Sequence, residues 1–189
     1  IPQKNGNNLV IDTDEEPGRG RVDKISTLRT AFDKDGTITA ANASSINDGA
    51  AAVMLMSKEK ALDLNLKPLC KIIAQVSLAQ EPIYFTTAPG QAIAKILKKT
   101  GLTINDIDLF EINEAFSNVA LAAMREHAIP HEKVNIFGGA VSLGHPIGAS
   151  GARILVTLIS ALKQKNKKIG LATLCIGGGE ASAIIVEMV

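Results

Sequence analysis

The sequence predicts an α/β fold, a mixed five-stranded sheet with helices on its faces. Three observations predict it. From residue 109 onward, short apolar runs alternate with helix-patterned segments in the order β-α-β-α-β-β. Several of the apolar runs end in a polar or glycine-rich turn, the punctuation of a sheet whose strands feed helices. The composition is that of a globular domain with a real core: 189 residues, 46% hydrophobic, 21% charged, net charge +1.

Residues 1–36 read as a solvated loop. Asp12, Asp14, Glu15 and Glu16 form an acidic patch, followed by basic Arg19, Arg21, Lys24 and Arg29. A basic end that meets a phosphorylated ligand is the competing reading. The start, Ile1-Pro2-Gln3, has no signal-peptide pattern and no initiator Met, so the chain is expected to be processed or cut from something longer. Residues 37–49 are small and polar, a composition that lets a ligand approach the backbone. The alanine-rich run 50–56 fits either a helix or a buried strand.

Ser57 to Leu64 reads as a short helix capped by Ser57, and Leu69 to Leu78 as a strand that buries Cys70. Glu81-Pro82 and Ala88-Pro89-Gly90 bracket a loop holding Tyr84 and Phe85. Gln91 to Thr100 is a helix that Gly101 stops. Leu109 to Ile112 is a short strand running into Asn113 and Glu114, and a helix follows with Phe116, Val119, Ala120 and Ala123 on one face. Val134 to Phe137 reads as a strand, Ile154 to Leu162 as a helix, and Lys168 to Leu174 and Ala181 to Met188 as the last two strands.

Several function classes are disfavoured. A net charge of +1 does not favour a nucleic-acid partner, and no Trp with one Tyr argues against base stacking. No apolar run approaches the roughly 20 residues of a membrane helix. Cys70 and Cys175 form no CxxC pair, so neither a metal knuckle nor a redox motif is expected. The glycine turns match neither GxGxxG nor the P-loop.

The chemistry concentrates at three turns. His145 lies in Gly138-Gly139-Ala140-Val141-Ser142-Leu143-Gly144-His145-Pro146-Ile147-Gly148, where Pro146 restricts it to extended backbone. Asn113 and Cys175 each follow an apolar strand as well. Asn113 supplies an amide donor, His145 a donor for a developing oxyanion, and Cys175 a thiol with a reference pKa of about 8.5. Gly177 to Gly179 expose backbone N–H groups that suit a second oxyanion hole. An oxyanion donor set with a thiol base is what carbanion formation beside a thioester carbonyl requires. Taken singly, each residue has a plainer explanation: a loop histidine, a helix-capping Asn113, a strand-end cysteine.

Four motifs resemble the thiolases: Asn42-Ala43-Ser44 with Asn47-Asp48-Gly49, Asn113-Glu114-Ala115-Phe116, Gly144-His145-Pro146-Ile147-Gly148, and Cys175-Ile176-Gly177-Gly178-Gly179. The resemblance, to acetyl-CoA acetyltransferases especially, runs from about residue 10 to the end. It implies that Asn113, through a held water, and His145 form one oxyanion hole, and that His145 activates the family's nucleophilic cysteine. It implies that Cys175 moves the α-proton and that the Gly177 N–H serves a second hole. It places Ser44 on the pantetheine arm with Ala40, Ala43 and Ile46 beside it. Ala115 and Phe116 would line the same tunnel, and Phe85 would lie near the acyl pocket. Ala40, Ala41, Ala43 and Val141 resemble backbone positions that hold a monovalent cation in some relatives, but no metal site is expected here.

The resemblance also implies a domain layout. Residues 1–36 are expected to be a loop-region remnant and residues 37–189 a thiolase C-terminal domain, with the N-terminal nucleophile domain absent from this chain. Neither Cys70 nor Cys175 stands in the nucleophile's motif. The expectation is therefore the C-terminal half of an acetyl-CoA C-acetyltransferase, inactive by itself, whose partners are acyl-CoA, the missing N-terminal half and, at full length, further copies of itself. Coenzyme A thioesters are the substrates, no cofactor is needed, and the compartment is the cytoplasm, with an organelle matrix also open. The alternatives are a 3-ketoacyl-CoA thiolase of fatty-acid β-oxidation and a non-catalytic CoA-binding module.

Overall fold

A computed structural model describes the backbone of residues 1–189 and every side chain except those of Pro17 and Arg19. The basic-patch reading of Arg19 therefore falls outside the described side chains. Residues 1–57 carry only short helical pieces, α1 (Glu16–Arg19) and a 3-10 turn over Val22–Thr27, and the alanine-rich run 50–56 forms neither helix nor strand. Helix α2 (Lys58–Asp63) starts as expected, with Ser57 Oγ accepting from the Lys60 N–H at 3.1 Å.

The sheet holds four strands, not five: β1 (Cys70–Ala79), β2 (Leu109–Ile112), β3 (Ile169–Ile176) and β4 (Glu180–Met188), in the order β1-β4-β3-β2. It is mixed, since β4 runs antiparallel to both neighbours and β2 parallel to β3. The segment expected as the fifth strand, 134–137, makes one parallel bridge, Val134 to Phe110, and then leaves the sheet. The reason is Asn135, whose left-handed φ of 47° turns the chain away. Its side chain takes over the pairing. Oδ1 accepts from the Ile112 N–H at 2.8 Å, and Nδ2 donates to the Ile112 carbonyl at 2.9 Å. One asparagine amide thus closes the open edge of β2 where a strand was expected.

Helix α3 (Ala88–Thr100) begins three residues earlier than expected, because Pro89 fits the first helical turn. Gly101, with φ 73°, ends it. Helix α3 and α4 (Ser117–His127) cover one face of the sheet through Ile93, Ile96, Val119, Phe110, Ile112 and Ile185. Helix α6 (Ser150–Gln164) covers the other, packing Ile154, Leu158 and Leu162 on Leu109, Ala172 and Val186. Gly170 permits that approach: a Cβ there would come within 2.7 Å of Leu158 and 2.9 Å of Leu162. Strand β1 slips register between Ile72 and Ala74, so Cys70 packs on the α6 face while Ala74 and Val76 pack on the α3 face. Among the described residues, no helix is long and apolar enough to cross a membrane.

Candidate active site

Two features bring the candidate residues to one end of the sheet. The parallel pair β2–β3 carries Asn113 and Cys175 there, because Ile112 stands opposite Thr173 and the Asn113 N–H continues the ladder to the Thr173 carbonyl at 3.0 Å. The strap 42–46 joins the other two motifs. Ala43 pairs with Phe116, and Ser117 N–H donates to the Asn42 carbonyl at 2.9 Å. Ile46 pairs with His145, whose N–H donates to the Ser45 carbonyl at 2.9 Å.

The loop before His145 differs from the expected strand and turn. A one-turn helix, α5 (Ala140–Leu143), precedes it, and Gly144 follows with φ +90°. Glycine is required at 144 on two counts, since a Cβ would also strike the Asn47 side chain at 2.4 Å. Glu114 anchors α5 by accepting from the Val141 N–H at 3.2 Å, and it also accepts from Asn135 Nδ2 at 2.9 Å.

Asn113 is buried, and its Nδ2 lies 3.3 Å from His145 Nε2. The far side of the ring is committed: Nδ1 lies 2.6 Å from Ser150 Oγ, and that hydroxyl donates to the Pro146 carbonyl at 3.0 Å. With its one proton spent on Pro146, Ser150 can only accept, so Nδ1 carries the ring proton and Nε2 presents a lone pair. Burial, and then the nearby Arg153 charge, lower the His145 pKa, so the ring is neutral and basic at neutral pH. Ser150→Ala is expected to release this tautomer. Ring-nitrogen NMR should then show a mixed population, and a spectrum unchanged from the native one would disprove the assignment.

Beneath Asn113 lies a polar pair in an otherwise apolar layer. Glu111 is 2% exposed, and Arg153 Nη1 lies 3.6 Å from its Oε2. Arg153 Nη2 donates to Asn113 Oδ1 at 3.2 Å. Burial pushes the Glu111 carboxyl up to about 8, Arg153 pulling it back and Glu114 pushing it further. Burial lowers Arg153 too, but arginine's ordinary value is so high that it keeps its charge.

Cys175 stands near the end of β3, half-buried against the α3-face core, and burial raises its thiol pKa. Among the described residues no hydrogen bond ties its Sγ to Asn113 or His145. Gly177 is exposed in the following turn, and a Cβ there would meet nothing within 4 Å. Gly179 makes the turn possible: its φ is +97°, and a Cβ would strike the Gln80 carbonyl oxygen at 2.4 Å. Ser44 Oγ donates to the Ala115 carbonyl at 2.9 Å. Phe85 and Phe116 meet edge to face at 6.2 Å, and Phe32 joins from the other side at 5.9 Å. Ala40 is exposed, and Ile46 is 84% exposed. Cys70 pairs with Met188, at the opposite end of β4 from Ala181, the partner of Cys175.

Sequence reasoning missed Phe32, Glu111, Asn135, Ser150 and Arg153 as parts of this neighbourhood. Glu111 and Asn113 share a strand face, and Ser150 and Arg153 share a helix face. Those spacings were the available signal.

The thiolase C-terminal domain family matches residues 66–188, and the thiolase N-terminal domain family matches residues 1–59. The second match overturns the expectation of an isolated C-terminal half with its N-terminal partner missing: residues 1–59 carry N-terminal domain sequence. It equally overturns the fold as a C-terminal domain alone and the inactivity inferred from that. The chain is 50% identical over 187 residues to a probable acetyl-CoA acetyltransferase of Dictyostelium discoideum, covering 99% of this chain and 45% of that protein. The crystal structure of the Bacillus anthracis acetyl-CoA acetyltransferase superposes with TM-score 0.91 at 43% identity, covering 96% of this chain and 46% of that one. A thiolase from Ascaris suum, in complex with coenzyme A, gives TM-score 0.85 at 47% identity, covering 93% and 46%. The chain spans about half the length of the curated relatives it matches.

Proposed function

The chain belongs to the thiolase family, and on that premise we propose that it carries the proton-transfer and oxyanion groups of an acetyl-CoA C-acetyltransferase. That reaction joins two acetyl-CoA molecules into acetoacetyl-CoA and CoA, reversibly. The observation that carries the reading is the 3.3 Å approach of Asn113 Nδ2 to His145 Nε2, with Nδ1 already committed to Ser150.

In the condensation direction, the Cys175 thiolate removes a proton from the acetyl methyl group of one acetyl-CoA. The electron pair left behind makes an enolate, whose oxygen accepts from Asn113 Nδ2 and from His145 once Nε2 carries the proton released by the thiol that took up the first acyl group. The enolate carbon attacks the acyl carbonyl of the second unit, and the Gly177 N–H donates to the tetrahedral oxygen that forms. Collapse expels the sulfur that carried the acyl group. In thiolysis, His145 Nε2 takes a thiol proton and Cys175 returns a proton to the departing enolate. Ala40, Ala43, Ser44, Ile46 and Ala115 border the pantetheine path in this reading. The Phe85–Phe116–Phe32 cluster supports short acyl groups over long ones. The free thiols of Cys70 and Cys175 support a reducing compartment, the cytoplasm or an organelle matrix.

The test is CoA-dependent cleavage of acetoacetyl-CoA by the protein, followed against pH. A lowered His145 pKa keeps the base form down to pH values below its ordinary 6.5, so thiolysis is expected to fall only below that point. A raised Cys175 pKa keeps the thiol protonated at neutral pH, ready to donate. Condensation needs the thiolate, so its rate is expected to climb with pH beyond the ordinary thiol range. Absence of cleavage, or faster turnover of a long-chain 3-ketoacyl-CoA, would sink the reading.

A further inference from the structure

We propose that Arg153 is a positioning residue for Asn113. Its guanidinium, held beside the buried Glu111 carboxyl group, locks the amide with Nδ2 toward His145 and Oδ1 turned away from the reacting atoms. The inference rests on the reading of Asn113 and His145 as donors to the enolate oxygen.

An asparagine amide is nearly symmetric in shape, and its two ends do opposite jobs. With Nδ2 toward the site it stabilises an oxyanion, and with Oδ1 there it repels one. Nothing in the backbone of Asn113 decides between the two. Arg153 does, because guanidinium is a donor at every nitrogen. Its Nη2 lies 3.2 Å from Asn113 Oδ1, and a flipped amide would set N–H against N–H at that distance. His145 Nε2, with its lone pair, asks for the same orientation from the other side.

The arginine is otherwise poorly placed. Its Nε and Nη1 are buried without a hydrogen bond, and its neighbours along α6 include the core residue Ile154. A hydrocarbon side chain would fill this position without desolvating a charge. Glu111, two residues before Asn113 on the same strand face, brings Oε2 to 3.6 Å from Nη1, beyond a hydrogen bond. Ser150 and Arg153 lie three residues apart on α6, so one helix face fixes both the tautomer of His145 and the amide of Asn113. Arg153 also lowers the His145 pKa, while Glu111 and Glu114 are the acidic groups nearest the arginine.

The experiment uses the double variant Glu111→Gln/Arg153→Met. Arg153→Ala alone would leave a void beside Glu111 and the Asn113 Oδ1 without its donor, and is expected to destabilise the fold. NMR follows two quantities: the NOE between the Asn113 side-chain amide protons and the His145 ring, and the pH at which that ring titrates. The expected result is loss of the NOE and titration at a higher pH than in the native protein, with a cooperative melt retained. The kcat for acetoacetyl-CoA is expected to fall about 10- to 100-fold with KM little changed, short of the ~10²–10³-fold loss typical of deleting an oxyanion donor. Persistence of the NOE overturns the proposal, whatever the activity. An inactive native protein would defeat the acetyltransferase reading instead, and the NOE would still decide the role of Arg153.

Discussion

Replacing His145 by alanine is expected to lower kcat for acetoacetyl-CoA thiolysis by about 10³-fold or more while the chain stays folded. In the proposed reading one ring holds two functions. As a base it is worth about 10²–10⁴, and as a donor to an oxyanion about 10²–10³. The two are not independent, because the proton that Nε2 accepts is the one it later offers, so the factors do not multiply. Stability should fall by only about 1–3 kcal/mol, chiefly because the buried Asn113 Nδ2 loses its ring partner. The ring is half-buried, and the backbone contacts of residue 145, its N–H to the Ser45 carbonyl and its bridge to Ile46, do not involve the side chain. His145→Gln keeps a donor and removes the base, so it separates the two functions. A thermal melt with steady-state kinetics on both variants checks the prediction, and a loss of less than tenfold in alanine would refute it.

Asn135→Ala is expected to destabilise the fold by about 3–5 kcal/mol, the largest effect available outside the apolar core. The substitution removes the acceptor of the Ile112 N–H, the donor to the Ile112 carbonyl and the donor to Glu114. Ile112 is fully buried, so its backbone groups would lose partners that water cannot easily replace. Each such loss costs about 1–3 kcal/mol. The φ of 47° adds about 1 kcal/mol for an alanine. At this chain length the melting temperature should fall by about 10 °C. Asn135→Gly relieves the backbone strain and not the lost bonds, so it should recover only the smaller part. Catalysis should suffer as well, because Asn113 follows Ile112 directly. A melting temperature within 2 °C of native, about 1 kcal/mol on the same scale, would contradict the account.

These two residues show what could be read from residue order. The placement of His145, Asn113 and Cys175 at turns was legible because each follows a distinctive local pattern, and the glycines around them mark those turns. The 3.6-residue and 2-residue periods located α3, α4, α6 and all four strands to within a few residues. Asn135 was not legible. Val134 to Phe137 has the apolar content of a strand, and nothing local says that an asparagine within it adopts a left-handed φ and lends its amide to the edge of β2. The alanine-rich run 50–56 misled in the same way: its composition suits a helix or a strand, and it forms neither.

The N-terminal segment is a different case. Residues 1–36 are polar and loop-like, and periodicity carries little information in such a stretch. Similarity over residues 1–59 to a thiolase N-terminal domain corrected the view that this domain is missing.

The sequence by itself determined the alternation of strands and helices, the motif glycines and the chemical types gathered at the turns, because these depend on local sterics and on the period of burial. Tertiary structure decided which nitrogen of His145 is bare, which way the Asn113 amide faces and where the sheet ends. Those depend on Ser150, Arg153 and Asn135, which act across gaps of 5, 40 and 23 residues. A hydrogen bond of this kind is directional and needs its partner within about 3 Å, so it exists only once packing has brought distant segments together.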